Sequence, residues 1–340
     1  MSGVLGLDIG GANLKAASAE GKAASLPFAL WRDFDDLPLA LTSLFKSFGR
    51  PTALAVTMTG ELADCFTTKA EGVDRILGSV QTLARGFPMR VWTTAGQFVS
   101  MTEARKQPLA VAAANWHVQA TWAGRFVPAK RAVLIDCGST TTDLIPLING
   151  RTCPQGLTDP ERLLSGELVY QGVRRTPLCA VSHTLPFHGQ PCPVAAELFA
   201  TTLDVYLLLG WITPDATDLN TANGRPATVD AAHDRLARML CCDRFEFSVD
   251  EARTAARFLA EEQQRRLAAA LSRVIAGLNG CDLIVTSGSG EFMARRLAER
   301  AGLPVLSLSE QLSPAVAESA CAFAAAVLLE TELCSASERE

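Results

Sequence analysis

Apolar residues near the start of the chain fall into short, closely spaced runs. Positions 4–9 (VLGLDI), 14–19 and 23–30 alternate or cluster hydrophobic residues between brief polar breaks, which predicts an antiparallel strand meander. Helical spacing follows over 37–48, then a strand at 53–59, a helix near 74–85, a strand at 89–93 and a helix near 109–122. The rhythm then restarts. Strands at 132–136 and 141–147 form a second hairpin, Arg151 begins a third strand, and a helix runs over 161–170. The proline-rich segment PLCAVSHTLPFHGQPCP breaks the pattern and reads as a loop. Helices are expected at 195–209, 229–240 and 249–278, then a buried strand at 283–286 ending in SGSG, and a helix at 292–300.

A unit of three strands and a helix thus occurs twice, far apart in the chain. That predicts two related α/β lobes with a cleft between them. The first lobe is expected over 1–127, with 311–340 returning to pack on it, and the second over 128–310, including an insertion near 176–194. A length of 340 residues agrees, because it exceeds the usual size of one core.

Charge and composition narrow the classes. A net charge of −5 and a pI near 5.5 argue against a nucleic-acid backbone as partner. The most apolar late stretch, AVAESACAFAAAVLLETEL, is interrupted by Glu318 and Ser319, so it predicts a buried helix and no membrane span. No Lys or Arg precedes the first apolar run, as a signal peptide would require. Ten cysteines without a CxxC pair read as reduced thiols of a cytoplasmic protein. The apolar helices leave room for a homodimer.

The chemistry-bearing stretches are LDIGGANLK and LIDCGSTTTDL. Each runs a strand into an aspartate, Asp8 or Asp136, and breaks two residues later at Gly10 or Gly138. A glycine there permits a tight turn and close backbone approach by a ligand. Successive N–H groups around such a turn form a concavity for phosphate oxygens. Gly11, Asn13 and Lys15 in the first hairpin, and Ser139, Thr140 and Thr141 in the second, add donors. Two carboxylates beside a polyphosphate repel it unless a cation intervenes, so Mg²⁺ held by Asp8 and Asp136 is the implied metal. One such turn is ordinary; two, each between apolar strands, point to a shared polyanion. A third cluster, TSGSG, places Gly288, Ser289 and Gly290 between a strand and a helix, where a helix N-terminus favours an anion. Cys179, His183, His188 and Cys192 match no standard zinc module, and their segment is expected as a mobile loop over the cleft.

In order, LDIGGANLK, LIDCGSTTTDL, LIVTSGSG and the final small-residue helix resemble the phosphate, adenosine and connecting motifs of the actin/Hsp70/sugar-kinase superfamily. The implied fold is α/β, with two ribonuclease-H-like (actin-like ATPase) lobes around a central cleft. VTMTGELADCFTTKAEGV, AAANWHVQATW, ELFATTLDVYLLLG and TANGRPATVDAAHDRLARMLCCD narrow the likeness. They resemble hydantoinase/oxoprolinase-like proteins linked to tetrahydromethanopterin-dependent C1 transfer, whose archaeal relatives are furan-methanamine synthases of methanofuran biosynthesis.

The resemblance implies a transferase that joins an aminomethyl-furan-methanol diphosphate to the phenol of γ-glutamyltyramine, or of a tyrosine-derived analogue, with release of diphosphate. A phenol ionises near pH 10, so a general base is needed, and Glu61 and Asp64 are the candidates. Lys69 is the candidate contact for an anionic group, and Asn115 and Trp116 for the aromatic substrate. The same loops also suit ATP, so an ATP-dependent kinase or hydantoinase-type hydrolase is the less favoured alternative, and a non-catalytic nucleotide-binding regulator the third. The family pattern leads one to expect Asp where this chain has Asn223.

Overall fold

In the computed structural model, which describes residues 3–84 and 86–337, two large sheets face one another across a helical layer. The first contains β1 (Val4–Ile9), β2 (Asn13–Ser18), β3 (Ala23–Pro27), β4 (Ala53–Met58), β5 (Met89–Trp92) and β6 (Phe98–Ser100) in the order β3-β2-β1-β4-β5-β6. Strands β3, β2 and β1 form the antiparallel meander, and β4 and β5 add parallel strands beside β1. The second contains β7 (Arg131–Cys137), β8 (Thr142–Ile148), β9 (Arg151–Thr152) and β10 (Leu168–Val169). A separate hairpin of β11 (Thr184–Phe187) and β12 (Gln190–Pro193) comes next, and β13 (Leu283–Ser287) and β14 (Val305–Ser307) complete the second sheet in the order β10-β8-β7-β13-β14. Here too an antiparallel hairpin is extended by a parallel strand, β13, along β7. The fold is therefore α/β with two ribonuclease-H-like lobes.

Strand alternation explains why each sheet is covered on both faces. Leu5, Leu7 and Ile9 of β1 join the first lobe's own core, while Val4 faces the layer between the lobes. In β7, Val133, Ile135 and Cys137 enter the second lobe's core, and Ala132 and Leu134 face the shared layer. That layer is built on the helices Asn115–Ala123 and Ala320–Ser337, which pack against each other. The late helix lies on β1, β2 and β4 because its alanines permit close approach. At Gly6 the approach is backbone to backbone: a Cβ there would lie 1.8 Å from the carbonyl oxygen of Ala322.

Several elements differ from the sequence expectation. The helix expected over 109–122 is two pieces, Pro108–Val111 and Asn115–Ala123, broken where Ala113 adopts a left-handed φ of 47°, and a further helix, Met101–Lys106, precedes them unread. The helix near 74–85 starts at Lys69, where Thr68 caps the N–H of Glu71, and Arg85 lies outside the described residues. The helix expected over 161–170 stops at Ser165, where Gly166 is left-handed, so the chain can turn into β10. Only Thr202–Leu208 of the 195–209 span is helical, and β6 and β14 carried too short an apolar run to be read. The loop expected at 177–193 contains a one-turn helix and the β11–β12 hairpin, which packs on the long helix Val249–Gly277. His188 pairs there with Glu251 at 2.9 Å, and none of the segment lines the cleft.

Among the described residues no helix is long and apolar enough to cross a membrane. Among the described residues no two cysteines are joined in a disulfide.

Candidate functional site

β1 and β7 both end at a cleft of about 930 Å³ between the lobes. Strand ends of this kind are where open α/β sheets place their ligands. Asp8 and Asp136 project into it from opposite lobes. The two turns that follow are closed in the same way, Gly10 N–H donating to Asn13 O at 3.0 Å and Gly138 N–H to Thr141 O at 2.8 Å. The N–H groups of Gly11, Ala12, Ser139, Thr140 and Thr141 have no hydrogen-bond acceptor among the described residues. Both turns therefore present free donors to the same space, as a phosphate-binding concavity requires.

The register fixes the neighbours. Asp8 stands opposite Lys15 on β2, whereas Asp136 stands opposite Asp143 on β8 and beside Ser287 on β13. Burial pushes Asp8 up to about 6, with Lys15 opposing the shift. Burial also pushes Asp136 up to about 7; Asp143 and Asp8 add to the rise, and Lys15 and a hydrogen bond from Gln119 oppose it. The two carboxyls thus interact directly enough to repel each other. Lys15 itself is tethered, its Nζ donating to Glu318 O at 2.7 Å.

Gly288, with φ of 89°, passes so close to β7 that a Cβ would lie 2.4 Å from Asp136 Oδ1. Only glycine fits this crossing. Ser287, Gly288 and Ser289 line the cleft, while Gly290 is packed beneath it against Val173 and Cys137.

Glu61 is anchored from both sides. Thr59 and Gly60 donate to Ile9 O, each at 3.0 Å, which pins this segment to the end of β1. On the other side Gly72 abuts it, with room for no side chain: a Cβ would lie 2.1 Å from Glu61 O. Glu61 is 1% exposed, and burial pushes its carboxyl up to about 7 against the pull of Lys69 and the Ala113 N–H. Asp64 also lines the cleft but is exposed at its mouth. Lys69 sits in the first turn of its helix, outside the lining. Asn115 and Trp116 both line it; Asn115 Oδ1 caps the N–H of Trp116 at 2.8 Å, and Trp116 is 3% exposed.

Other residues here escaped the sequence reading. Arg162 lies flat over the Trp116 ring, 4.0 Å from its centroid, and pairs with Asp143 at 2.5 Å. Asp143 was visible inside LIDCGSTTTDL, seven positions after its aspartate as Lys15 is after Asp8. Gln119 donates to Ser287 Oγ at 2.7 Å, tying the helical layer to the second lobe. Trp31 and Tyr170, 48% and 66% exposed, add aromatic faces to the lining. Asn223 lies elsewhere: it accepts from Arg225 N–H and Arg235, so it clasps a loop of the second lobe.

Four buried polar atoms of cleft residues lack a hydrogen-bond partner: Asp8 Oδ1, Glu61 Oε2, Trp116 Nε1 and Arg162 Nε. Buried polar groups are nearly always paired in folded proteins, so four orphans around one cavity mark a place completed by a ligand. Among the described residues no group of three or more His, Cys, Asp or Glu forms a metal cage. A carboxylate pair is nevertheless the donor set with which Mg²⁺ is commonly bound beside phosphates.

The hydantoinase/oxoprolinase family model matches residues 52–332. The chain belongs to this family. It is 32% identical, over 97% of its length and 98% of the relative's, to the (4-{4-[2-(gamma-L-glutamylamino)ethyl]phenoxymethyl}furan-2-yl)methanamine synthase of Methanocaldococcus jannaschii. The synthase of the same name from Methanococcus vannielii is 32% identical over 60% of this chain and 93% of that protein. The hydantoinase/oxoprolinase relatives matched over most of their length are thus biosynthetic enzymes, and this chain is an enzyme too. The crystal structure of component A of (R)-2-hydroxyglutaryl-CoA dehydratase from Acidaminococcus fermentans aligns over 97% of this chain and 98% of that one, at a TM-score of 0.48 and 13% identity.

Proposed function

We propose that this enzyme is a transferase of methanofuran-type C1-carrier biosynthesis. It joins an aminomethyl-furan-methanol diphosphate to the phenol of γ-glutamyltyramine or a tyrosine-derived analogue. The phenol oxygen attacks the furfuryl CH₂ carbon, the C–O bond to diphosphate breaks with its electron pair leaving on the diphosphate, and the phenol proton passes to Glu61.

The observation that carries this reading is the pairing of two donor-rich acidic turns with a buried carboxylate, one of whose oxygens has no partner among the described residues, in one cleft. The turns of 10–13 and 138–141 offer their free N–H groups to the diphosphate, where developing negative charge is best stabilised by donors already in place. Asp8 and Asp136 fit Mg²⁺, because Asp8 Oδ1 has no partner among the described residues, burial raises both carboxyls, and Asp8 and Asp143 raise Asp136 further, a repulsion that a cation relieves. Mg²⁺ bound there would neutralise phosphate oxygens of the leaving group. Glu61, pushed up to about 7, is matched to proton abstraction near neutral pH. Asp64, exposed at the rim, is the second candidate base. Trp116, Trp31 and Tyr170 supply apolar faces for two aromatic substrates, and holding these in line is the larger part of the task.

The test is to supply the furan diphosphate, a tyramine-type phenol and Mg²⁺ to the purified chain. Ether and diphosphate are expected in equal amounts. Release of phosphate from ATP with no ether would instead assign the cleft to a nucleotide.

A further inference from the structure

Arg174 and Arg175 are adjacent, yet their side chains meet different surroundings. Arg174 forms an ion pair with Asp218. Arg175 is half-buried, lines the cleft and has no carboxylate within ion-pair distance among the described residues. Among the described residues its side chain's hydrogen bond runs from Nη1 to Thr140 Oγ1, at 3.5 Å. Burial of this uncompensated cation pushes its guanidinium below the usual arginine range. A desolvated cation without an anion is costly, and such groups are normally paired.

The backbone that carries Arg175 is built against the second phosphate-type turn. The N–H groups of Arg174 and Arg175 both donate to Ser139 O at 3.0 Å, and Val173 N–H donates to Gly138 O at 3.0 Å. Gly172 is pressed onto the turn so closely that a Cβ would lie 2.5 Å from Thr140 N. Its carbonyl is held from behind by Thr202 Oγ1 at 2.8 Å and Gln263 Nε2 at 3.0 Å. The guanidinium therefore hangs from a rigid support beside N–H donors that face the cleft. Of the other cleft cations, Arg162 is spent on Asp143 and Lys15 is tethered to Glu318 O between two aspartates.

We infer that Arg175, with Ser139 and Thr140, forms a subsite for the second phosphate of a diphosphate group, so that the cleft selects diphosphate esters over monophosphates. The inference rests on the diphosphate reading of the cleft and adds a residue and a selectivity to it. An arginine suits the role because its planar fork spans two phosphate oxygens.

Calorimetric titration of the full chain with inorganic diphosphate and with orthophosphate, each with Mg²⁺, tests it. The wild type is expected to prefer diphosphate at least tenfold. Arg175→Gln should lose that preference, Arg175→Lys should keep part of it, and Arg174→Gln should keep it whole. Circular dichroism verifies that each variant is folded. Equal preference in Arg175→Gln and wild type, an equal loss in both glutamine variants, or no wild-type preference overturns the subsite. If the preference follows Arg175 but no ether is ever formed, the subsite stands and the transferase reading falls.

Discussion

The two acidic turns are copies in geometry and opposites in charge. Seven residues after the aspartate, on the facing strand, the first lobe carries Lys15 and the second carries Asp143. The first aspartate therefore has its charge compensated across the hairpin, and the second has it aggravated. Burial raises both, Asp8 to about 6 and the half-buried Asp136 to about 7, with Lys15 opposing the first rise and Asp143 adding to the second. The second lobe answers with Arg162, brought over from the helix Asp159–Ser165 and 1% exposed. A duplicated frame has been fitted with one cation opposite its aspartate at the cleft and one locked in the wall.

The comparison breaks first if the two turns are not equally needed. Asp8→Asn and Asp136→Asn should each cut turnover by roughly 10²–10³-fold, as losing a group that balances transition-state charge does elsewhere. Circular dichroism should stay unchanged; full activity in either variant would end the two-sided grip.

Next come the two positions of opposite charge. Asp143→Asn leaves the buried Arg162 only the longer contacts to Asp159 at 3.7 Å and Glu167 O at 3.3 Å, and removing one partner of a buried pair costs up to about 3–5 kcal/mol. Lys15→Met should leave the melting temperature nearly unchanged and weaken diphosphate binding. The reverse distribution of effects would erase the distinction between wall and cleft.

A third test uses pH. Glu61 has a folded value of about 7 against an ordinary 4.5, so its protonated form favours the fold. That stability is fully present below about 4.5, is lost as pH rises towards 7, and stays lost above it. The difference is worth about 3 kcal/mol. Thermal unfolding of the ligand-free chain should therefore find Glu61→Gln more stable than wild type at pH 8 and equal to it near pH 4. Turnover should move oppositely: the wild type loses rate below pH 7, while Glu61→Gln is slow and flat.

The smallest effect concerns packing. Two residues before each aspartate stand Gly6 and Leu134, the first against the backbone of the late helix and the second filling the shared layer. Gly6→Ala forces that helix away and should cost about 1–3 kcal/mol in chemical denaturation, with Mg²⁺–diphosphate affinity reduced because β1 shifts. An unchanged denaturation midpoint would mean the helix is not seated on Gly6.

Much of this was legible in the residues themselves. The alternation of Val133, Ile135 and Cys137 with Ala132 and Leu134 announced a strand buried on both faces, and the Asp–x–Gly breaks announced the turns. Arg162 was not legible, because its partners Asp143 and Trp116 lie 19 and 46 positions away and meet it only when β8 and the helical layer pack. Ala113 was missed for a different reason: alanine carries no signal for a left-handed turn, so one helix was read where two exist. The segment 177–193 has loop composition, but its Gly189 and the left-handed His188 make a tight hairpin that docks on a helix instead of the cleft.

The sequence alone determined the local conformations and the chemical inventory: side-chain period sets strand faces, and a missing Cβ sets where a turn can form. Tertiary structure decided the rest. It brought Asp8, Glu61 and Asp136 to one cavity by ending β1 and β7 at the same gap, and it took Asp8 and Glu61 almost wholly out of water. Carboxylates that the sequence presents as ordinary acids become groups poised between about 6 and 7, because solvent access and distant charges are properties of the fold and not of the chain.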